Sequence, residues 1–428
     1  MREMRQSLSG ITPVTYIRNA YRRLGEWLGD HTLEVSQDAA NRGVRIDTWF
    51  ATAAVLLLCI GLVMVASASY GGDLMASSWG YFFRQLIAAG IGFVALVVVL
   101  TVPIRHYSAA RTLILIASFI LLLLVLIPGV ATEVNGAYRW INLGPVNLQV
   151  SEFARLGLII WMAAYIGKHL VKLQTRMRGM LGPIVVISLA ATLLMAQPDY
   201  GTAVVLAATL FTMAFLMRAQ LFTIALLSVF AIVIAVMGAQ AAQYRIDRLL
   251  SFADPFADPF GDGYQLSNAL IAIGTGGLTG RGLGESVQKM AYLPEAHTDF
   301  IFAIFAEETG LIGVIAMVAL YSILVWRGFV IARMAWLAGL YTGAALAWGI
   351  SVWLGMQTLI NLGVNMGLLP TKGLTLPLIS YGGSSMLASL IALGLILRVH
   401  HEASYTLENP PKTKIVIGPK LDGERGHE

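Results

Sequence analysis

AYLPEAHTDFIFAIFAEETG, residues 291–310, begins as a polar loop and passes without a break into an apolar run that lasts to about Trp326. A run of this length can cross a bilayer, which takes about 20 apolar residues. The stretch therefore predicts a membrane helix with Asp299 at its mouth and with Glu307 and Glu308 inside it. Because a carboxylate deep in such a helix costs about 2.5–3.5 kcal/mol on insertion scales, this acidic group indicates a functional site.

The composition of the whole chain is that of an integral membrane protein. Of the 428 residues, 57% are hydrophobic and only 12% are charged, whereas a soluble domain is about 25% charged. Apolar runs of helical length favour an all-α polytopic bundle over a β-barrel. The strands of a barrel would appear as short segments in which apolar and polar residues alternate. The lysines and arginines lie mostly in the tail and the loops rather than on one soluble domain, so we expect no nucleic-acid partner.

Ten apolar runs predict ten membrane helices. Their approximate bounds are 49–68, 84–103, 111–129, 152–167, 181–197, 201–217, 220–241, 299–325, 337–361 and 384–399. Only Pro198–Asp199–Tyr200 separates the fifth run from the sixth, and Gly201 follows. Since proline and glycine are strong helix breakers, this region predicts two helices rather than one.

The lysines and arginines predict the orientation of these helices. Bases concentrate in the segments on the side of the amino-terminal arm, which makes both termini cytoplasmic by the positive-inside rule. The predicted domains are a basic amphipathic arm (1–46), a transmembrane domain (47–400) and a cytoplasmic tail (401–428). A large outer loop, 242–298, joins helices seven and eight. The other predicted outer segments are 69–83, 130–151 and 362–383.

The outer loop 242–298 is far longer than an ordinary connection, which favours a functional loop. Its apolar stretch 266–273 predicts a short helix at the outer interface. Its glycines between 274 and 284 permit close backbone approach or positive φ angles. They are also compatible with a phosphate cradle.

Two charged groups near helix ends have two interpretations each. Glu152 and Arg155 are three residues apart and share a helix face. They form either a neutralising ion pair or a charged wall of an outward-facing cavity. Asp199 either caps a helix or turn or contacts a substrate.

Polar residues near the ninth and tenth runs form two further groups. Gln357, Asn361 and Asn365 follow one another at intervals of four, which predicts a polar stripe making interhelical hydrogen bonds. Lys372 lies beside tight glycine turns and either holds an anion or snorkels as an interfacial anchor.

Asp299 is the sharpest candidate for chemistry. If Thr298 caps the eighth helix, Asp299 occupies the first helical position, where the helix dipole favours its ionised form. Partial burial near Glu295 raises its pKa instead, and a carboxylate balanced between these effects can act as a general base near neutral pH. His297 is the rival base, with an ordinary pKa near 6.5. Glu307 is too distant to share the proton of Asp299, and we expect it and its neighbour to bond to adjacent spans.

These residues indicate an outward-facing site of acids and bases, and they fit a transporter or an enzyme acting on a lipid-linked substrate equally well. Motifs separate the two. The chain resembles the SEDS family over residues 49–400 in five regions: NGAYRWINLG (135–144) with QVSEFAR (149–155), PDYGTAVVL (198–206), YQLSNALIAIGTGG (264–277), LPEAHTDFIFAIFAEETG (293–310) and LPTKGLTLPLISYGGSS (369–385). The last form, with Lys372, is more similar to division-type members than to elongation-type members.

The resemblance implies a peptidoglycan glycosyltransferase that polymerises lipid II on the outer face of the bacterial cytoplasmic membrane, at the division septum. It implies that Asp299 is the essential acidic residue and serves as the general base. It also implies a class B penicillin-binding protein, the transpeptidase FtsI, as a partner, together with other division proteins, lipid II and membrane lipids.

The lipid pyrophosphate that leaves in this reaction needs positive charge to stabilise it. Arg139, Arg155, Lys289 and Lys372, or a divalent cation (Mg²⁺ or Mn²⁺) with unknown ligands, are candidates, and no organic cofactor is expected. The remaining substrate-binding candidates are Glu152, Asp199, Gln265, His297 and Ser384.

Two departures from the family pattern matter. Val150 and Arg155 stand where the family often has proline and lysine, and arginine does not readily release a proton. The family often has two arginines before the tryptophan of this motif, and Tyr138 stands in the place of one of them. Only Arg139 can therefore be matched to a family arginine. The rival functions are a lipid II flippase, an elongation-type polymerase and a scaffold without chemistry.

Overall fold

The computed structural model describes residues 44–69, 78–134, 137–142, 147–220, 252, 254–261, 263–290, 293–370 and 373–409. This part of the chain contains eleven α-helices and one three-stranded sheet. The helices are α1 (Thr48–Ser69), α2 (Ser78–Thr101), α3 (Ile104–Ala109), α4 (Arg111–Leu124), α5 (Val150–Thr175), α6 (Leu181–Ala196), α7 (Tyr200–Leu216), α8 (Tyr264–Gly276), α9 (Ile301–Leu337), α10 (Tyr341–Asn365) and α11 (Gly383–Glu408). The strands are β1 (Ala131–Val134), β2 (Ala137–Asn142) and β3 (Asn147–Gln149).

Several predictions lie outside the described residues. They concern the amphipathic arm up to residue 43, the predicted span at 220–241 from residue 221 onward, the loop up to residue 251, Lys372 and the tail from residue 410.

The prediction of a polytopic α-helical membrane protein is confirmed. Seven of the described helices are long and apolar enough to cross a membrane, and α4 and α7 are shorter apolar helices. Nine of the ten predicted runs are therefore helical. The predicted division at Pro198 is also confirmed, since α6 ends at Ala196 and α7 begins at Tyr200.

Three helices continue well beyond the apolar runs that predicted them, because polar turns extend them. The helix α5 reaches Thr175, α9 reaches Leu337 and α11 reaches Glu408. In α11 the extension is buried: Arg398 pairs with Glu402 at 2.8 Å, and Glu402 accepts a hydrogen bond from the backbone of Ile104 at 2.9 Å. Hydropathy falls at such a turn although the helix and its packing continue.

The three strands form an antiparallel sheet in the order β1–β2–β3, in a segment where no strand was predicted. Trp140 of β2 lies opposite Gln149 of β3. Ser384 fastens β3 to the start of α11, since its hydroxyl accepts from the Gln149 backbone at 2.8 Å and donates to the Asn147 carbonyl at 3.2 Å. The sheet is thus anchored to the bundle.

The helix α9 is broken at Gly310, whose φ of 64° and ψ of −168° are not helical. The glycine-rich segment 276–284 fills the break. Arg281 and Gly282 donate backbone hydrogen bonds to the carbonyls of Glu307 and Glu308, both at 3.0 Å. These bonds supply partners for backbone groups that the break leaves without a helical partner.

The glycines of this segment are needed for close packing. A Cβ at Gly280 would lie 2.1 Å from the Glu308 carbonyl oxygen, and one at Gly276 would lie 2.1 Å from that of Ala306. The interpretation of close backbone approach is therefore confirmed. The backbone donors that a phosphate cradle would require are partly used by α9.

Candidate active site

Asp299 lies in a turn before α9 rather than inside the helix. Phe300 is the N-cap residue, without a capping side chain, and α9 begins at Ile301. The prediction that Thr298 caps the helix is wrong, because its hydroxyl bonds to Glu295 instead, at 3.1 Å to the carbonyl and 2.7 Å to the carboxylate. Because Asp299 precedes the helix, its position is set by contacts with other segments and not by the helical backbone of α9.

The surroundings of Asp299 raise the pKa of its carboxyl toward neutral pH. Burial raises its pKa to about 7, the negative charge of Glu295 adds to the rise, and the positive charge of Arg139 opposes it. Burial therefore outweighs the cationic neighbour. A carboxylate with a pKa near the working pH can accept a proton and release it again.

Amide side chains of α10 hold the backbone of Asp299. The side-chain nitrogens of Asn361 and Asn365 both donate to the Asp299 carbonyl at 3.0 Å. Asn361 also donates to the Leu374 carbonyl at 2.6 Å, and Gln357 donates to the Thr375 carbonyl at 2.8 Å. The predicted stripe thus makes buried hydrogen bonds to loop backbones and also to another helix, since Asn365 accepts from the backbone of Ala303 in α9 at 3.2 Å.

The loop before α11 folds against the same turn. Ser380 donates to the Thr298 carbonyl at 2.6 Å, and the backbone of Tyr381 donates to the His297 carbonyl at 2.9 Å. A Cβ at Gly373 would lie 3.1 Å from Oδ2 of Asp299. A glycine therefore lets the backbone approach the carboxylate on this side.

Arg139 and Asp199 bring the sheet and the tip between α6 and α7 together. Arg139 donates to the carbonyls of Gln197 and Pro198, and its Nη1 lies 4.0 Å from Oδ1 of Asp199. Asp199 caps α7 by accepting from the Thr202 backbone at 3.4 Å, which confirms the cap interpretation. Arg139 is also the cation that lowers the pKa of Asp299, so sheet, tip and acid form one electrostatic site.

His297 lies in a cluster of aromatic rings. Its ring centroid is 4.6 Å from that of Tyr81 and 5.6 Å from that of Tyr381. Burial lowers the pKa of His297, while Glu295 raises it. The imidazole is therefore neutral at neutral pH and remains a possible base.

Glu152 and Arg155 form a buried ion pair in the first turns of α5. The guanidinium of Arg155 also lies 4.6 Å from the ring centroid of Trp353. The two residues are only 3% and 1% exposed, which supports a neutralising pair rather than the wall of an open cavity. Nε and Nη1 of Arg155 have no hydrogen-bond partner among the described residues.

Lys289 is committed to the interior. Its ammonium group donates to Glu308 at 3.0 Å, to the Gly284 carbonyl at 2.7 Å and to Ser67 at 3.1 Å. All three ammonium donors are therefore used, and the side chain is fully buried. The arrangement opposes the predicted contact of Lys289 with a leaving group.

The carboxylates near the break of α9 have different partners. Glu308 accepts from Ser67 of α1 at 2.6 Å, as expected for a bond to an adjacent span. Glu307 instead binds the preceding loop, with Ser286 at 2.5 Å, Arg281 at 3.3 Å and two backbone amides. The expected bond of Glu307 to another span is thus wrong, because the glycine-rich segment reaches it first.

The last two candidates occupy different surroundings. Gln265 is half-buried near the start of α8. Ser384 is buried, and its hydroxyl is used by β3. Their roles toward a substrate stay predictions.

The sequence analysis missed the face of α2 that meets this site. Gln85 is fully buried, donates to the Ser380 carbonyl at 3.0 Å and accepts from the Gly382 backbone at 3.1 Å. One turn earlier, the ring of Tyr81 packs at a tilt against that of His297. A glutamine inside an otherwise apolar run was the signal available, since a buried amide requires partners.

Comparisons with known proteins identify the family to which this chain is similar. The model of the FtsW/RodA/SpoVE cell cycle protein family matches residues 47–405. A probable peptidoglycan glycosyltransferase FtsW from Halothiobacillus neapolitanus is 59% identical over 388 residues, covering 90% of this chain and 93% of the relative. Another from a Thioalkalivibrio species is 46% identical, covering 86% and 94%.

Two solved structures share the fold. A chain from a peptidoglycan synthase complex that coordinates polymerization and crosslinking has a TM-score of 0.68 and 31% identity, covering 84% of this chain and 98% of that one. The rod shape determining protein RodA of Thermus thermophilus has a TM-score of 0.60 and 30% identity, covering 83% and 96%. Matches of this extent confirm the resemblance, and the chain belongs to the SEDS family of FtsW, RodA and SpoVE cell cycle proteins.

Proposed function

We propose that this chain is a division-type peptidoglycan glycosyltransferase that polymerises lipid II, with Asp299 as the general base. The observation that carries the proposal is the site of Asp299, whose pKa burial raises to about 7. Its backbone carbonyl is held by two amides of α10. The relatives named as probable peptidoglycan glycosyltransferases support the reaction class.

The reaction is a single displacement at the anomeric carbon of the donor sugar. The 4-hydroxyl oxygen of the acceptor forms a bond to that carbon, and its proton passes to Asp299. The bond from the carbon to the lipid pyrophosphate breaks, and the pyrophosphate leaves with the electron pair. Inversion at the anomeric carbon follows.

Arg139 is the side chain best placed to stabilise the leaving group. It is about one quarter exposed, and its charge acts on Asp299. Arg155 and Lys289 are buried in ion pairs. Positive charge beside the leaving oxygen lowers the barrier.

A divalent cation stays a prediction. No group of three or more histidine, cysteine, aspartate or glutamate side chains that could hold a metal occurs among the described residues.

Three alternatives are less well supported. The flippase hypothesis used Glu307, Glu308 and the amides of α10 as a polar path, but these groups are bonded to the protein's own loops and spans. The elongation-type hypothesis is weakened because identity is 59% to an FtsW and 30% to a RodA. The scaffold hypothesis leaves the cost of burying Asp299 unexplained.

The partner and the location belong to the same proposal. The chain is a multi-pass membrane protein, and we place it at the septum of the bacterial cytoplasmic membrane, beside a class B penicillin-binding protein. A structural relative comes from a complex that coordinates polymerization with crosslinking. We place a membrane helix of that partner against α9 and α10, where a groove of about 280 Å³, lined by Tyr321, Trp326 and Gly355 among others, has room for some of its side chains.

The test is polymerisation of purified lipid II by the chain co-purified with its penicillin-binding partner. We expect glycan strands from the wild type and at least a ~10²-fold lower rate from Asp299→Asn and Asp299→Ala, which is the low end of general-base contributions. Complex assembly should be unchanged. Equal rates would exclude Asp299 and direct attention to His297, whereas lipid transfer across vesicles without strands would favour the flippase.

A further inference from the structure

One face of α2 carries three residues toward the loop before α11. Tyr81, Arg84 and Gln85 share this face, since residues three and four apart are neighbours on a helix. Gln85 fixes the register of α2 by its two hydrogen bonds to the backbones of Ser380 and Gly382. The face is therefore held in place beside Tyr381.

Tyr81 and Arg84 remain accessible although this face is docked. Both side chains are exposed. The ring of Tyr81 meets that of Tyr381 edge to face, with centroids 5.0 Å apart. Arg84 hydrogen-bonds to the Tyr381 hydroxyl, and its guanidinium retains further donors.

The surroundings of Arg84 are those of a lipid-facing surface. Its neighbours Phe83 and Ile87 are 55% and 60% exposed, as expected for side chains in contact with acyl chains. The helix begins only at Ser78, so Arg84 lies near an end of the span, at headgroup level. A cation here can be reached sideways from the bilayer by an anionic lipid headgroup.

Polymerisation requires two lipid-linked substrates, and each of them carries a pyrophosphate. Arg139 acts on Asp299, where the bond to the leaving pyrophosphate breaks. The acceptor presents its hydroxyl to Asp299, but its own pyrophosphate lies at the other end of its sugars. This second pyrophosphate needs a cation further from the acid, on a path open to the membrane.

The geometry points to a second lipid pyrophosphate subsite at Arg84, with the ring of Tyr81 packing against the adjoining sugar. This inference rests on the proposed function. It assigns Arg84 to the acceptor and leaves Arg139 with the donor. Planar guanidinium groups bind phosphate oxygens in pairs, and aromatic rings next to a cation present a flat apolar surface to a sugar face.

A count of bound lipids tests the subsite without catalysis. The full-length chain carrying Asp299→Asn is incubated with undecaprenyl pyrophosphate and examined by native mass spectrometry. We expect two bound lipids, one after Arg84→Gln, one after Arg139→Gln and none after both changes. Arg333, an exposed arginine near the opposite end of a membrane helix, supplies the control, and Arg333→Gln should keep two.

Kinetics supply a second measurement with otherwise wild-type protein. Arg84→Gln should raise the KM for lipid II ~10-fold or more, because a hydrogen bond to a charged group is worth about 1.5–3 kcal/mol. Arg84→Lys should retain part of the affinity, and Tyr81→Leu should raise the KM for lipid II, because it removes the aromatic ring.

The experiments distinguish failure of the Arg84 subsite from failure of the proposed glycosyltransferase function. Two bound lipids in Arg84→Gln, or an unchanged KM, would overturn the subsite while leaving the glycosyltransferase intact. A wild type that binds two lipids and makes no glycan would overturn the proposed function and keep the subsite.

Discussion

At the scale of single residues, the pKa of Asp299 leads to a pH dependence with a defined sign. The general base must be ionised, so the polymerisation rate should rise through a pH of about 7 and level off above it. A Glu295→Gln variant removes a negative charge that raises this pKa, and should shift the midpoint to lower pH. Initial rates between pH 5.5 and 9 measure the midpoint, and a profile unaffected by Glu295→Gln would contradict the assignment.

The raised pKa of Asp299 also makes the stability of the fold depend on pH, and stability should fall over the pH range in which activity rises. The pKa of Asp299 in the folded protein lies above the ordinary value of 3.8, so protonation stabilises the fold. This contribution is fully present below pH 4 and is lost as the pH rises through about 7. Asp299→Asn should therefore raise the melting temperature at pH 8 and have less effect at pH 5, which a thermal-shift series can measure.

Asn365 is a positioning residue, because its side chain reaches the backbone of Asp299 and not the reacting atoms. Asn365→Leu removes the donor to the Asp299 carbonyl and the acceptor for the Ala303 backbone. We expect a ~10- to 10²-fold lower kcat, since a small displacement of a catalytic group is costly. The KM should change little.

Ser351 supplies the control on the same helix, because the one hydrogen bond of its hydroxyl among the described residues goes to the Ala347 carbonyl of α10, at 2.7 Å. Ser351→Ala should keep kcat within about threefold, because this hydroxyl bonds within α10 and not to the backbone of Asp299. An Asn365→Leu variant with normal kcat would show that α10 does not position the acid.

The sequence indicated which polar residues make buried contacts more reliably than it indicated their partners. Asp299, Asp199 and the amides of α10 stood out because polar groups in apolar surroundings need partners. The partners themselves belong to distant segments: Asn365 and Asp299 are joined across 66 positions, and Gln85 and Ser380 across 295. No local pattern encodes such pairs, which is why the contribution of α2 was missed.

At the scale of elements, the fully buried pair of Lys289 and Glu308 ties the outer loop to the break in α9. Removing one partner leaves a buried charge uncompensated, which costs about 3–5 kcal/mol. Lys289→Met and Glu308→Leu should each lower the melting temperature and the yield of folded protein. The double variant should recover most of the loss.

The double variant also decides the role of Lys289. If the lysine is structural, the recovered protein should polymerise lipid II at a rate near that of wild type. A folded double variant without activity would instead restore the predicted contact of Lys289 with the leaving group. Lipid II turnover and thermal shift on the same preparations separate the two results.

The sequence predicted the presence of helices better than it predicted where they end. Nine apolar runs became helices, yet α9 and α11 extend 12 and 9 residues beyond their runs, from 325 to 337 and from 399 to 408. A helix ends where its backbone hydrogen bonds end, whereas an apolar run ends where the surroundings become polar. The strands were missed because β3 has only three residues, too few to show alternation.

At the scale of the whole molecule, the groove between α9 and α10 is the surface that we assign to the penicillin-binding partner. Gly355 lies in its lining, and a larger side chain there would fill it. Gly355→Leu should lower co-purification of the partner several-fold while leaving the fold intact. Pull-down from detergent extracts with equal amounts of the chain measures the ratio.

Gly90 supplies the matched control, because it is an exposed helical glycine of α2 with no atom within 4 Å of an added Cβ. Gly90→Leu should leave co-purification unchanged. Equal recovery of the partner with both variants would place the interface on another surface.

The break in α9 has a consequence for the order of assembly. The segment 276–284 that fills it precedes α9 in the chain, so both can come together as soon as the ribosome has released them. Asp299 depends on Asn361, Asn365 and Ser380, which are synthesised later. We therefore expect the scaffold of α8 and α9 to form first, and Asp299 to reach its final position only when the last two helices enter the bundle. We expect a nascent chain without these helices to be membrane-inserted but catalytically silent.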